Sequence, residues 1–278
     1  MEPGLYIVAT PIGNLGDMSS RAIAVLRDVD LIAAEDTRHS QRLLQHFAID
    51  KRLVPYHDHS DGRSQQRIGE VLAAGGSVAL ISDAGTPLIS DPGYRLVRDM
   101  QDRGHAVRPV PGPSAAIAAL SVCGLPTDSF RFVGFLPARA GARENVLRAL
   151  ADETATLVFY EAPHRIAASL AAMAQVFGAS REAVLAREIT KTFETVRRAP
   201  LAELVEFVSG DGNQQKGEIV LIVAGQAGAV AALDAPTARL LRALARELPA
   251  KKAAALVAEH SGLRKKELYN YLLSVKDD

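Results

Sequence analysis

The stretch Ala79-Leu80-Ile81-Ser82-Asp83-Ala84-Gly85-Thr86-Pro87-Leu88-Ile89-Ser90-Asp91-Pro92-Gly93 decides the fold class. Val78 to Ile81 are apolar without alternation, the pattern of a strand covered on both faces, as in a parallel sheet. A polar, turn-forming run follows where the strand's carboxyl end should lie, and ligands of open α/β sheets bind at that edge. Gly85 and Gly93 permit close backbone approach, Pro87 and Pro92 stiffen the loop, and Asp83, Thr86, Ser90 and Asp91 supply polar groups. The loop is expected to hold a ligand.

On either side the same alternation continues. Residues 5–9, 31–34, 78–82 and 106–110 read as strands, and residues 19–28, 39–47, 64–74 and 94–103 as the helices between them, which predicts a parallel α/β layer. Pro109-Val110-Pro111-Gly112-Pro113 interrupts the pattern, so a first domain is expected over residues 1–112. Residues 156–160, 183–187 and 218–224 then read as strands and residues 142–151, 163–177 and 201–208 as helices, less regularly spaced, which suggests a second α/β domain with a mixed sheet over residues 113–228. Gly225-Gln226-Ala227-Gly228-Ala229 has linker composition. Three amphipathic patterns over residues 237–248, 251–260 and 264–274 predict a helical module over residues 229–278, with helix, glycine turn and helix spaced as in a helix-turn-helix. Lys251, Lys252, Arg264, Lys265 and Lys266 are expected to cluster around that turn and meet phosphates, with Tyr269 and Tyr271 adding a stacking face.

Composition narrows the classes. Over 278 residues, 48% are hydrophobic and 23% charged, which is globular and long enough for two cores. Thirty-two basic and thirty-two acidic side chains cancel, so a nucleic-acid or membrane partner needs a local patch. Cys123 is the lone cysteine, flanked by Leu120, Val122 and Leu125, and is expected in a core. The start, Met-Glu-Pro-Gly, lacks the basic character of a signal peptide, and residues 5–9 are too short for a membrane span; a cytoplasmic protein with no membrane partner is expected. His57 and His59 are spaced to face one way on a strand, but no third or fourth ligand accompanies them, so no metal is expected.

The loops exclude the common nucleotide signatures. The first strand runs into Ala9-Thr10-Pro11-Ile12-Gly13-Asn14-Leu15-Gly16-Asp17 without Gly-x-Gly-x-x-Gly or Gly-Lys-Ser/Thr spacing, which leaves a dinucleotide or triphosphate site without its phosphate cradle. Pro111-Gly112-Pro113-Ser114-Ala115 opens a helix, with Ser114 as its expected N-cap.

Taken together, the segments 9–15, Ala34-Glu35-Asp36-Thr37-Arg38, 82–87, Asp91-Pro92-Gly93, 111–115, Phe159-Tyr160-Glu161-Ala162-Pro163-His164-Arg165, Ala186-Arg187-Glu188-Ile189-Thr190-Lys191 and Lys216-Gly217-Glu218-Ile219-Val220 resemble the ribosomal RNA small-subunit methyltransferase I group, the RNA branch of the tetrapyrrole methylase superfamily. The resemblance spans nearly the whole chain. It implies a two-domain α/β tetrapyrrole methylase-like fold with a cleft, S-adenosylmethionine as methyl donor, a homodimer, and 2'-O-methylation of a cytidine in the decoding region of 16S rRNA or the small ribosomal subunit. It places the donor against Ile12, Asp83, Ala84, Gly85, Thr86, Pro87, Ser114 and Ala115, with Ala162 and Ile219 from the second domain. One departure stands at His57-Asp58-His59-Ser60, where the group commonly carries His-Glu-His-Asn.

A ribose hydroxyl must be aligned with the methyl group and lose its proton as it attacks. Lys191 or Glu188 is expected to assist that deprotonation, and Arg38 and Arg165 to hold RNA phosphates. Two other readings keep the same sequence: a methyltransferase of this fold acting on a tetrapyrrole or other small molecule, and an RNA-binding protein without catalysis. The basic tail and Glu35-Asp36-Thr37-Arg38 argue against the first of these.

Overall fold

The computed structural model describes residues 1–57, 62–226, 233 and 235–274. Contacts divide the chain into two compact units, one of residues 1–151 with 155–224 and one of residues 152–154 with 225–278.

The first unit holds two five-stranded sheets. One is built by β1 (Gly4–Val8), α1 (Ser20–Asp28), β2 (Leu31–Ala34), α2 (Thr37–His46), β3 (Leu53–Pro55), α3 (Arg63–Ala73), β4 (Ser77–Ile81), α4 (Tyr94–Asp102) and β5 (Val107–Val110). Its strands are all parallel in the order β3-β2-β4-β1-β5. Every residue of β2 and β4 is buried, the outcome expected for apolar runs without alternation. Ala22, Val25, Leu26 and Leu44 of α1 and α2 pack with Val8, Ile32 and Ile81 on one face, while Ile68, Leu72, Leu96 and Met100 of α3 and α4 pack with Leu5, Leu31 and Leu80 on the other. The chain leaving β1 crosses to β2 on one side and the chain leaving neighbouring β4 crosses to β5 on the other. Their loops therefore open a crevice at a topological switch point.

The second sheet contains β6 (Phe130–Phe135), β7 (Thr156–Glu161), β8 (Glu182–Arg187), β9 (Thr195–Pro200) and β10 (Ile219–Val223), with α5 (Ala115–Val122), α6 (Ala140–Ala149), α7 (Ile166–Phe177) and α8 (Leu201–Gly210). Its order is β6-β7-β10-β8-β9, with only β6 and β7 parallel. The mixed sheet matches expectation. Three strands do not appear among the expected ones: β3 is only three residues long, β6 is broken in register between Phe132 and Gly134, and β9 is an edge strand carrying exposed Arg197 and Arg198. Short length, a bulge and a solvated edge each erase the hydrophobic period that marks a strand.

In the second unit, α9 (Ala235–Glu247), α10 (Ala250–Ser261) and α11 (Lys265–Ser274) pack around Leu241, Ala253, Ala254, Val257, Leu268 and Leu272. Gly262 ends α10 with φ 70°, a left-handed cap that a glycine adopts without strain. Two expectations need correction here. Lys251 and Lys252 stand at the start of α10, about 15 Å of helix from Gly262 at 1.5 Å per residue, so only Arg264, Lys265 and Lys266 lie at the turn. Tyr269 and Tyr271 are partly buried against the core, and Tyr271 accepts a 2.6 Å hydrogen bond from Arg242, whose guanidinium also lies over its ring, so Tyr271 does not offer a free stacking face. No helix among the described residues is long and apolar enough to cross a membrane.

Candidate active site

Three loops of the first sheet are sewn together at the crevice. Thr10 and Gly85 exchange backbone hydrogen bonds of 2.9 and 3.0 Å, the fully buried Thr10 hydroxyl donates to the Ser82 carbonyl at 3.2 Å, and the Thr86 hydroxyl donates to the Pro113 carbonyl at 2.9 Å. Gly85 has φ 81°, and a Cβ there would press on Ile12 at 3.3 Å, so the residue type follows from both the turn and the close approach. Leu88 and Ser90 hold φ of 73° and 70°, a conformation costly for side chains with a Cβ. Strain of this kind concentrates where a loop is shaped for a ligand.

Between these loops and the second sheet lies a cleft of about 460 Å³. Of the residues expected to hold a methyl donor, Ile12, Asp83, Ala84, Gly85, Thr86, Ser114, Ala115, Ala162 and Ile219 all line it, whereas Pro87 does not. Ile89 and Asp91 of the expected ligand loop also line it, as do Glu35, Phe135, Tyr160 and Glu218, which were not among the residues expected against the donor. Their signal was present in part: Glu35 directly follows a strand end in a motif already quoted, but nothing local says which way a side chain points. Ser114 starts α5 without capping it through its side chain; instead the Tyr160 hydroxyl accepts from the Ala116 amide at 3.2 Å, so a neighbouring strand does the work expected of the serine.

The cleft is acidic. Glu35, Asp83, Asp91, Glu161 and Glu218 line it, and among the described residues no Lys, Arg or His does. Burial, then the charges of Asp91 and Asp83, raises the Glu35 carboxyl above its ordinary value, with His57 opposing. Burial also raises Asp91, against the nearby Ser82 hydroxyl and with the charge of Asp83. Burial raises the Tyr160 phenol as well. Asp83 is held by the Asp36 amide, which donates to its Oδ1 at 3.1 Å, and the side chain of Asp36 caps α2 through the amides of Arg38 and His39. Among the described residues no group of three or more His, Cys, Asp or Glu is arranged to hold a metal; His57 follows β3 rather than lying in it, and His59 is outside those residues.

The expected bases are differently employed. Lys191 Nζ donates to Glu188 at 2.8 Å and to Glu218 at 3.0 Å, and the Glu218 amide donates to Glu188 at 2.9 Å. For Lys191 burial favours the neutral form, but the two carboxylates outweigh it and hold the amine above its ordinary value. Burial favours neutral Glu188 too, yet the hydrogen bonds from Lys191 and the Glu218 amide prevail and lower its carboxyl. A lysine kept charged has no lone pair to accept a proton, and a carboxylate made more acidic is a poorer base. Neither residue lines the cleft, and both are engaged with each other and with Glu218. Glu188 and Thr190 have φ of 51° and 67°, and the Thr190 hydroxyl reaches Asp17 of the first loop at 2.5 Å. This tight segment acts as a clasp between the two sheets.

Arg165 is also engaged. Its guanidinium meets Glu161 at 2.7 Å, and the carboxylate, 1% exposed, further accepts from the Ala162 amide at 2.8 Å and the Ser169 hydroxyl at 2.5 Å. Arg38 is exposed on the first turn of α2.

A family model described as Tetrapyrrole (Corrin/Porphyrin) Methylases matches residues 4–205, and one for the RsmI C-terminal HTH domain matches residues 231–276. Ribosomal RNA small subunit methyltransferase I of Pseudomonas aeruginosa is 56% identical over 97% of this chain and 96% of its own length. The chain belongs to the ribosomal RNA small subunit methyltransferase I family. Other methyltransferase I proteins, from Escherichia coli O157:H7 and Mesorhizobium japonicum, are 53% and 49% identical, over 97% and 100% of this chain and 94% of each of theirs. Solved structures carry the same fold at low identity: diphthine synthase with TM-score 0.61 and 18% identity over 79% of this chain and 89% of its own, and uroporphyrin-III-C-methyltransferase from Thermus thermophilus with TM-score 0.56 and 21% over 82% and 96%. The loops sewn together at the cleft thus belong to a methyltransferase I family member, and the family's helix-turn-helix model coincides with the three-helix unit.

Proposed function

We propose that this methyltransferase transfers a methyl group from S-adenosylmethionine to the ribose 2'-hydroxyl of a cytidine in the decoding region of 16S rRNA, acting in the cytoplasm as a homodimer. The observation that carries the cofactor is the charge of the cleft. Among the described residues its lining has carboxylates and no cationic side chain, which repels phosphates and suits a ligand with a sulfonium and an ammonium group. Ile12, Ile89, Phe135, Tyr160 and Ile219 supply apolar and aromatic walls for a base. When bound, S-adenosylmethionine supplies an electrophilic methyl carbon on a positively charged sulfur.

The residues of this chain then have distinct tasks. Asp83, Ala84, Gly85 and Thr86, with Ile12, Ser114, Ala115, Ala162 and Ile219, orient the donor, mostly through the shape of a backbone that is hydrogen-bonded in place. Lys191, Glu188 and Glu218 keep the two walls together. Arg38, Lys251, Lys252, Arg264, Lys265 and Lys266, exposed and without an ion-pair partner among the described residues, are available for RNA phosphates. Arg165 meets Glu161 first and reaches RNA only at the expense of that pair. The names of the full-length relatives support rRNA as substrate. Support for a second copy comes from an apolar groove beside the cleft, where Ile89, Ile117 and Phe130 are 41%, 55% and 45% exposed.

The decisive experiment supplies tritium-labelled S-adenosylmethionine and small ribosomal subunits from a strain lacking the enzyme, then digests the RNA to nucleosides. Label in 2'-O-methylcytidine is the expected result; cofactor binding by calorimetry without label in RNA overturns the choice of substrate.

A further inference from the structure

We propose that Glu35 is the catalytic base, the group that accepts the hydroxyl proton as the methyl group is transferred. The inference rests on the reading above and adds the residue that the reading lacks.

Three of the other carboxylates of the cleft are committed. Asp83 Oδ1 accepts from the Asp36 amide, Glu161 is held by Arg165, Ala162 and Ser169, and Glu218 pairs with Lys191 while its side chain is 70% exposed. Asp91 is likewise uncommitted, the Ser82 hydroxyl beside it donating to the Ala84 and Gly85 carbonyls, but it follows the positive-φ Ser90 in a loop rather than standing directly at a strand end. Glu35, on the cleft wall directly after β2, has no hydrogen bond or ion pair among the described residues, so both carboxylate oxygens keep their lone pairs for a ligand. The groups that face it are Asp91, Asp83 and Asp36, which repel its charge, and His57, which opposes them. Its backbone position is fixed by a fully buried strand on one side and by the capped start of α2 on the other. A base held on rigid elements and left unpaired is arranged to receive a proton.

The step balances without another reactant. A lone pair of the 2'-oxygen forms the bond to the methyl carbon, the bond from that carbon to sulfur breaks with its electrons kept by sulfur, and the hydroxyl proton passes to a Glu35 oxygen. The reaction consumes one positive charge in the cleft, so the affinity of Glu35 for a proton increases as the proton arrives.

Single-turnover methyl transfer to small ribosomal subunits, followed from acid to alkaline pH, tests the assignment together with calorimetry of S-adenosylmethionine binding. The wild type should show one rising limb from acid pH, set by a carboxyl above the ordinary glutamate range. Glu35→Gln should abolish that limb and slow the step about 10²–10⁴-fold, far more than it weakens cofactor binding. Glu35→Asp should retain the limb at reduced rate, and Asp91→Asn should also retain it. A second readout needs no turnover: in cofactor-free protein labelled with ¹³C at the glutamate carboxyls, the resonance missing from Glu35→Gln should titrate above the other glutamates. An ordinary titration, a limb unchanged in Glu35→Gln, or loss of cofactor affinity matching the loss of rate overturns the proposal. Absence of transfer by the wild type overturns the functional reading itself, and the base assignment with it.

Discussion

The side chain of Lys191 lies across Gly13, so that a Cβ on residue 13 would come within 2.8 Å of the lysine Cδ and closer still to its neighbours. Gly13 also holds φ 139°, which other residues avoid. Gly13→Ala should therefore cost about 1–3 kcal/mol through strain. Shortening the other partner should relieve part of this: in urea unfolding of Gly13→Ala, Lys191→Ala and the pair, the double variant should be more stable than the sum, with a coupling of about 0.5–3 kcal/mol. Simple additivity would mean that the lysine does not set the conformation at Gly13.

Glu161 is the buried anchor of the opposite wall. Replacing it with alanine leaves the part-buried Arg165 without its carboxylate and the Ala162 amide and Ser169 hydroxyl without an acceptor, and a loss of about 3–5 kcal/mol is expected in denaturant unfolding. Because Ala162 lines the cleft, Glu161→Gln, which can still accept from that amide, should bind S-adenosylmethionine more tightly than Glu161→Ala does.

Two glutamates should give opposite signs when stability is followed against pH. Glu35 binds its proton more tightly in the folded protein, so its contribution is full below the ordinary glutamate value and is lost as pH rises through the raised one. Glu35→Gln should raise the melting temperature at pH 8 and leave it nearly unchanged in acid. Glu188 is lowered, so its contribution is present above the ordinary value and disappears on acidification. Glu188→Gln should melt lower than wild type at pH 7, and the gap should close as pH falls. The same sign in both variants would sink this account.

Arg264, Lys265 and Lys266 stand together at the start of α11. If they meet phosphates, neutralising each should reduce the slope of log affinity against log salt by about 0.7–0.9 in filter binding to rRNA. Calorimetry of S-adenosylmethionine with the same variants should remain unchanged.

Much of the frame was legible in the chain because the signals were local. The apolar runs of β1, β2 and β4 and the turn-forming residues after them marked a parallel sheet and its ligand edge, and the quoted motifs picked out nearly all of the cleft lining later found around Ile12, Asp83, Ser114, Ala162 and Ile219. The strands β3, β6 and β9 were not legible, since a three-residue strand, a bulged one and a basic edge each lack a sustained period.

What tertiary structure alone decided is which polar groups are occupied. Lys191 and Arg165 look equally available in sequence, as does Glu188, yet Lys191 reaches Glu218 twenty-seven residues away and Thr190 reaches Asp17 across 173 residues. Even Arg165, whose partner Glu161 is four residues away, is committed by a geometry that depends on β7 being buried beneath α7. A charged side chain takes its chemistry from its nearest charges and from its exposure, and both are set by packing between distant segments. Sequence determined the two sheets, the helical unit and the loops that form the cleft; folding determined that Asp83, Glu161 and Glu218 are engaged while Glu35 has no partner among the described residues.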